Sequence, residues 1–203
     1  GSVVYAPGGV LSANGNRTLY AVWNEKTYTV SFDANGGSGA PGSIIKWYSA
    51  PATIPFTEPT RSGYVFRGWS PYSTALSAMY LPGDYYRSNV SRTLYAVWEK
   101  NIYTVTYTDG VNGEAFADQV HNVPFEDATP AFDGTPARAG YKFLGWEPTV
   151  AETVTENATY VAQWEQLYTV TYTDGVKGKA FEDQVFTDLE SGTKTPEFNG
   201  TPT

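Results

Sequence analysis

A chain of 203 residues with a net charge of −8 and no cysteine closes several routes at once. Acidity argues against nucleic-acid binding, missing thiols against a disulfide scaffold or thiolate chemistry, and the lack of a long apolar run against a membrane-spanning helix. With 16 Tyr, 10 Phe and 6 Trp, aromatic rings are the material left for a core, each burying roughly 150–250 Å².

Taken from its start, the chain is periodic, and periodicity outranks any estimate of domain number from length. Residues 18–23 read TLYAVW, residues 93–98 repeat it, and residues 159–164 vary it as TYVAQW. After each copy a new YTV strand opens, at Tyr28, Tyr103 and Tyr168. Gly1-Ser2 reads as an expression-vector scar, and no signal peptide is visible. Residues 1–23 read as the back half of a repeat, because Tyr5, Pro7, Gly8, Arg17, Tyr20 and Trp23 recur with the same spacing as Tyr80, Pro82, Gly83, Arg92, Tyr95 and Trp98. Residues 24–98 then make complete repeat one, residues 99–164 complete repeat two, and residues 165–203 the front half of a third. A unit this small buries only about 60 % of its unfolded surface, so its rings must pack well. Repeat one is net basic and repeat two strongly acidic, so a shared electrostatic ligand is not expected.

Within repeat one, residues 28–33 alternate, with Tyr28, Val30 and Phe32 on one face of a half-buried strand. Asn35-Gly36-Gly37 is turn chemistry, and residues 43–48 return as the second strand of a hairpin. Prolines 51, 55 and 59 forbid a long helix, leaving residues 60–63 as a single helical turn stopped by Gly63. Residues 63–69 (GYVFRGW) form a strand with Tyr64 and Phe66 facing one way and Val65, Arg67 and Trp69 the other. Gly68 marks a bulge there, or a ring packed over bare backbone. Residues 70–91 are irregular. Residues 93–98 are apolar on both faces, as expected of a strand in mid-sheet. Repeat two keeps this skeleton, with TYTDG after its first strand and GYKFLGW at residues 140–146.

Three blocks in the same order, YTVxF…NGG, PTRxGYxFxGW and TLYAVW, resemble the internalin-type B repeat, also called the Listeria–Bacteroides repeat, of Gram-positive surface proteins. The resemblance covers nearly the whole chain; repeats two and three depart from it as a sister subtype. It implies an α+β, mostly β, small β-grasp-like fold, a mixed sheet over a short helical segment, with the copies arranged as an elongated rod. If the first and last strands of each repeat are central, parallel neighbours, the chain enters at one end and leaves at the other. The linkers, residues 24–27, 99–102 and 165–167, reach at most ~14 Å, so neighbouring repeats must nearly touch.

The function implied is that of a stalk or spacer on a bacterial cell surface or in a secreted protein, projecting a distal domain. The alternative is an adhesive repeat binding a host protein or glycan through exposed aromatics, centred on Tyr85 and Tyr86. Neighbouring repeats of the same chain are the expected partners, with head-to-tail self-association through the incomplete end repeats as a further one. Neither nucleic acid nor membrane insertion is expected of this segment. No nucleophile, base and oxyanion donor converge in the sequence, so no enzyme, catalytic residue, cofactor or metal is expected. The single histidine, His121, reads as a solvated loop side chain, and Asp33-Ala34-Asn35-Gly36 as a turn rather than a calcium loop. Sequons at Asn16, Asn89, Asn157 and Asn199 read as chance matches in turn-rich units. A Lys–Asn or Lys–Asp crosslink, for which Lys46 and Lys142 are the strand candidates, is not expected because the sequence places no partner and acid beside them.

Overall fold

The computed structural model describes residues 4–10, 15–177 and 180–200. Gly1-Ser2 and Thr201 of the last sequon lie outside them. Repeat one contains β1 (Thr27–Asp33), β2 (Ile44–Trp47), β3 (Ala52–Thr53), β4 (Tyr64–Ser70), β5 (Tyr85–Tyr86) and β6 (Arg92–Lys100). Its main sheet runs β2-β1-β6-β4, and β3 pairs with β5 in a small second sheet. Strands β1 and β6 lie parallel in the centre, in the register Val30↔Arg92 to Asp33↔Tyr95. Repeat two contains β7 (Ile102–Thr108), β8 (Gln119–Pro124), β9 (Tyr141–Glu147) and β10 (Ala158–Gln166), in the order β8-β7-β10-β9. Again the first and last strands are parallel neighbours. In the third repeat β11 (Tyr168–Tyr172) and β12 (Gln184–Leu189) form a hairpin.

The core of repeat one is aromatic and aliphatic: Val30, Ile54, Trp69, Tyr86, Leu94 and Ala96 are fully buried. Val30 projects from β1 on the face that alternation assigned to it, beside half-buried Tyr28 and Phe32. Leu94, Ala96 and Val97 are buried on β6, as both-face apolarity requires of a central strand.

Trp69 corrects the alternation read across residues 63–69. Between Phe66 and Gly68 the β4–β6 register shifts by one residue, so Arg67 is left over and Trp69 comes round to the face of Phe66. The two rings then meet edge to face at 5.1 Å. Gly68 has φ +125°, and a Cβ there would lie 2.6 Å from the Tyr80 carbonyl oxygen. The bulge therefore requires glycine. Repeat two bulges at the same place, with Phe143 and Trp146 5.2 Å apart.

No helix occurs among the described residues, so the α+β expectation is corrected to all-β. The segment read as a helical turn is instead tied down as extended chain. Thr60 exchanges both backbone hydrogen bonds with Ser38, at 2.8 and 2.9 Å, and only a tight turn from Arg61 to Tyr64 follows. The covering role falls to the β3–β5 pair and Ile54. Residues 18–23 are corrected as well. They carry the sequence of β6 but are no strand: a strand needs a hydrogen-bonded neighbour, and Tyr20 and Trp23 are 85 % and 88 % exposed.

The loop after the first strand is held differently in the two subtypes. In repeat one Asn35 Nδ2 donates to the Ser73 and Ala96 carbonyls, at 2.8 and 2.9 Å. In repeat two Asp109, fully buried, accepts from the amides of Val111, Gly113 and Ala115 at 2.8–3.0 Å. Asp174 repeats that cage in the third repeat with Val176 and Ala180. In both full repeats the closing tryptophan donates to the carbonyl at this corner, Trp98 to Ala34 and Trp164 to Asp109. Burial pushes the Asp109 carboxyl up, but the backbone amides, with Ala115 foremost, outweigh it and hold the pKa at about 2.

A folded-state value below the unfolded one gives stability that is complete above the ordinary carboxylate range and is lost as pH falls through about 2. The melting temperature of repeat two should therefore fall between pH 4 and pH 2. Asp109→Asn, which sets an NH₂ group against an amide, should cost about 1–3 kcal/mol at pH 7 and flatten that fall. Thermal melts followed by hydrogen exchange in β7 would show it; parallel pH curves for the two proteins would refute it.

Candidate functional site at the repeat junctions

Only Asn101 separates β6 from β7, so the four-residue linker expected there is mostly strand. Its N–H donates to the Gly63 carbonyl of repeat one (2.8 Å), and its own carbonyl accepts from Phe125 N of repeat two (2.8 Å). A single residue is thus hydrogen-bonded to both units. That leaves little freedom to hinge.

Side chains close the contact. The Phe125 ring stands edge to face with Tyr64 at 5.7 Å and with Tyr103 at 6.3 Å. It also covers Gly63, where a Cβ would lie 2.2 Å from the ring. Arg61 stacks on the same Tyr64, its guanidinium 3.8 Å from the ring centroid. Around this centre Tyr64 Oη donates to Glu126 at 3.2 Å and Lys100 pairs with Asp127 at 2.7 Å. The Asp127 carboxylate raises the Lys100 pKa. Both ion-pair partners are well exposed, so the aromatic centre outweighs the salt bridge.

The second junction shares the backbone bond to the preceding repeat and lacks the ring. Leu167, between β10 and β11, donates to the Gly140 carbonyl at 2.8 Å, and Arg138 stacks on Tyr141 at 3.7 Å. The residue in the place of Phe125 is Ser191, and a Cβ on Gly140 would meet nothing within 4 Å. An ion pair between Lys142 and Glu190 spans this contact instead.

The remaining candidate residues scatter. Tyr85 is 56 % exposed with Arg87 over its ring, whereas Tyr86 is buried in the core and donates to the Val90 carbonyl. One ring of that pair faces solvent; the other is structural. His121 lies on β8 rather than in a loop, half-buried and edge-on to Tyr107 at 6.2 Å. Asp33 caps the Asn35 amide at 2.7 Å, which is a turn. Lys46 is buried and donates to the Tyr48 carbonyl and to Asn89 Oδ1, while repeat two carries Val123 at the same register position.

Two sequon asparagines therefore hold the fold. Asn89 pairs the buried Lys46, and Asn157 Oδ1 accepts from the Thr104 amide at 2.9 Å, the place Ser91 Oγ takes on Thr29. Sequence reasoning missed the junction residue Phe125 altogether. Its only sequence signal is its distance from the second strand, because VPFED and KWYSA look unrelated.

Comparison with known proteins agrees with the repeat geometry. The model of the Listeria-Bacteroides repeat domain matches residues 28–97 and 103–163, the two complete repeats. A provisionally named membrane protein of Evansella cellulosilytica is 34% identical over 160 residues, 73% of this chain and 23% of that protein. A provisionally named Gly-rich membrane protein of the same organism is 33% identical over 136 residues, 66% of this chain and 15% of its own length. The chain thus spans less than a quarter of these relatives.

Proposed function

The chain belongs to the Listeria–Bacteroides repeat family, and from that premise we propose that its repeats are structural spacers of a bacterial surface or secreted protein. Their work is to hold another part of the whole protein at a distance, and no catalytic step belongs to this reading. The observation that carries it is the pairing of each repeat's first and last strands in parallel, followed by a one-residue link. Parallel ends make the chain enter a repeat at one side of the sheet and leave at the other, so successive units add length. Strand β6 has 9 residues, about 30 Å of chain at ~3.3 Å per residue. The membrane-protein names of the Evansella relatives support a surface location.

Deleting residues 99–164 in frame tests this directly. Small-angle scattering of the purified chain should show the maximum dimension shortened by about 30 Å, with the hydrogen-exchange pattern of repeat one intact. A maximum dimension that does not change would refute the spacer, because compact packing around a common centre gives that result. Binding of the intact chain to a glycan or protein array, lost on Tyr85→Ala, would favour the adhesive reading instead.

A further inference from the structure

The head of repeat one repeats the geometry of the head of repeat two. Tyr48 N donates to the Lys26 carbonyl at 2.9 Å, as Phe125 N does to Asn101 at 2.8 Å. The turn that follows is shared, with Ala50 N bonded to Trp47 O at 3.2 Å and Asp127 N to Pro124 O at 3.1 Å. Register agrees, since Tyr28 faces Lys46 on the β1–β2 ladder and Tyr103 faces Val123 on the β7–β8 ladder. Tyr48 therefore stands where Phe125 stands. Phe125 is seated on a glycine and a tyrosine of the preceding unit, whereas Tyr48 is 61 % exposed beside Trp47 at 50 %.

We propose that this aromatic head is a docking surface for the Gly–Tyr corner of another repeat of the family. The corner it fits is a glycine at positive φ followed by a tyrosine, as at Gly63 (φ +76°) and Gly140 (φ +75°). In the docked state the Tyr48 ring lies over that glycine, and Lys26 N–H meets its carbonyl as Asn101 N–H meets Gly63. Continuity with the Phe125 junction identifies the occupant. The recognition at this head is apolar. Glu25 stands where Lys100 does in repeat two and caps the Ser49 amide at 2.5 Å, and Ala50 replaces Asp127, so the ion pair of the first junction has no counterpart. Serine at position 191 gives the third head no such ring, and the surface is particular to repeats one and two. The inference uses the array of the proposed function, but its test reads a contact, not a length.

Two measurements decide it. In the first, a copy of residues 24–77 is joined ahead of Val3, so that the residues before β1 complete a repeat. Amides of residues 47–49 should then gain at least tenfold in exchange protection, and Tyr48→Ser should abolish the gain while leaving the unextended chain unchanged. An added repeat that is itself protected, with residues 47–49 exchanging as before, overturns the proposal. The second uses the chain as it is: Phe125→Tyr asks whether a tyrosine head can sit on a Gly–Tyr corner. Protection of residues 124–126 within twofold of the parent is expected. A tenfold loss overturns the docking mode even if the added repeat fails to fold, and leaves the scattering test of the spacer untouched.

Discussion

Trp69→Ala is expected to melt repeat one far below the parent temperature while β7 and β10 of repeat two keep their exchange protection. Trp69 is fully buried and packs edge to face against Phe32 at 4.9 Å and Phe66 at 5.1 Å. Its backbone is bridged to Tyr80 by hydrogen bonds of 2.8 and 3.0 Å, so the long loop after β4 is tied to the strand that carries this ring. Truncating such a ring costs about 3–5 kcal/mol. A unit of this size has only about 4–11 kcal/mol to lose at ~0.05–0.15 kcal/mol per residue. The indole Nε1 is buried and has no hydrogen-bond partner among the described residues. Trp69→Phe should therefore be far milder than alanine, about 1–2 kcal/mol, because the ring that goes carries an unpaired donor with it. Amide exchange with thermal melts separates the cases. A Trp69→Ala protein whose repeat one melts with that of the parent would remove Trp69 from the centre of the core.

Why so much of this fold was legible comes down to the period of two. Tyr28, Val30 and Phe32 alternate without interruption, and only a central strand suits the two apolar faces of residues 93–98, so the mid-sheet place of that strand was legible. Its parallel pairing with the first strand was implied only by the family resemblance. Alternation fails wherever one residue is skipped. Gly68 advertised a bulge, yet the consequence for Trp69 requires knowing that the extra residue lies before it, which only the register shows. Helix was misread for a related reason. Gly63 ends a turn at positive φ as it would end a helix, and the Ser38–Thr60 bridge that excludes a helix is made by residues far apart in sequence. Distance along the chain hid the partners of Lys46 and Thr104 as well, since Asn89 and Asn157 belong to loops with no pattern of their own. Tyr85 and Tyr86 show the limit most simply. Adjacent residues on a strand point to opposite faces, so of two neighbouring tyrosines one enters the core.

A matched pair of glycine substitutions should separate the two junctions. Gly63→Ala and Gly140→Ala both force an L-residue to φ near +75°, a shared cost of about 1–2 kcal/mol. They differ in what the new methyl meets. At position 63 it would lie 2.2 Å from the Phe125 ring, and at position 140 nothing lies within 4 Å. Relief at position 63 requires the ring to leave its seat on Gly63 and Tyr64, forfeiting about 1.5–3 kcal/mol of burial between the repeats. Gly63→Ala should therefore cost roughly 2 kcal/mol more than Gly140→Ala, with the excess appearing as lost exchange protection at Asn101 and Phe125 rather than inside either sheet. In a Phe125→Ala background the excess should vanish, since the ring the methyl collides with is gone, and a double-mutant cycle measures that coupling. Equal costs for the two glycines in the parent chain would mean that the aromatic contact adds nothing. The bond that Asn101 and Leu167 each donate to a glycine carbonyl of the preceding repeat would then govern both junctions, and the ring at position 125 would be only a cover for the glycine beneath it.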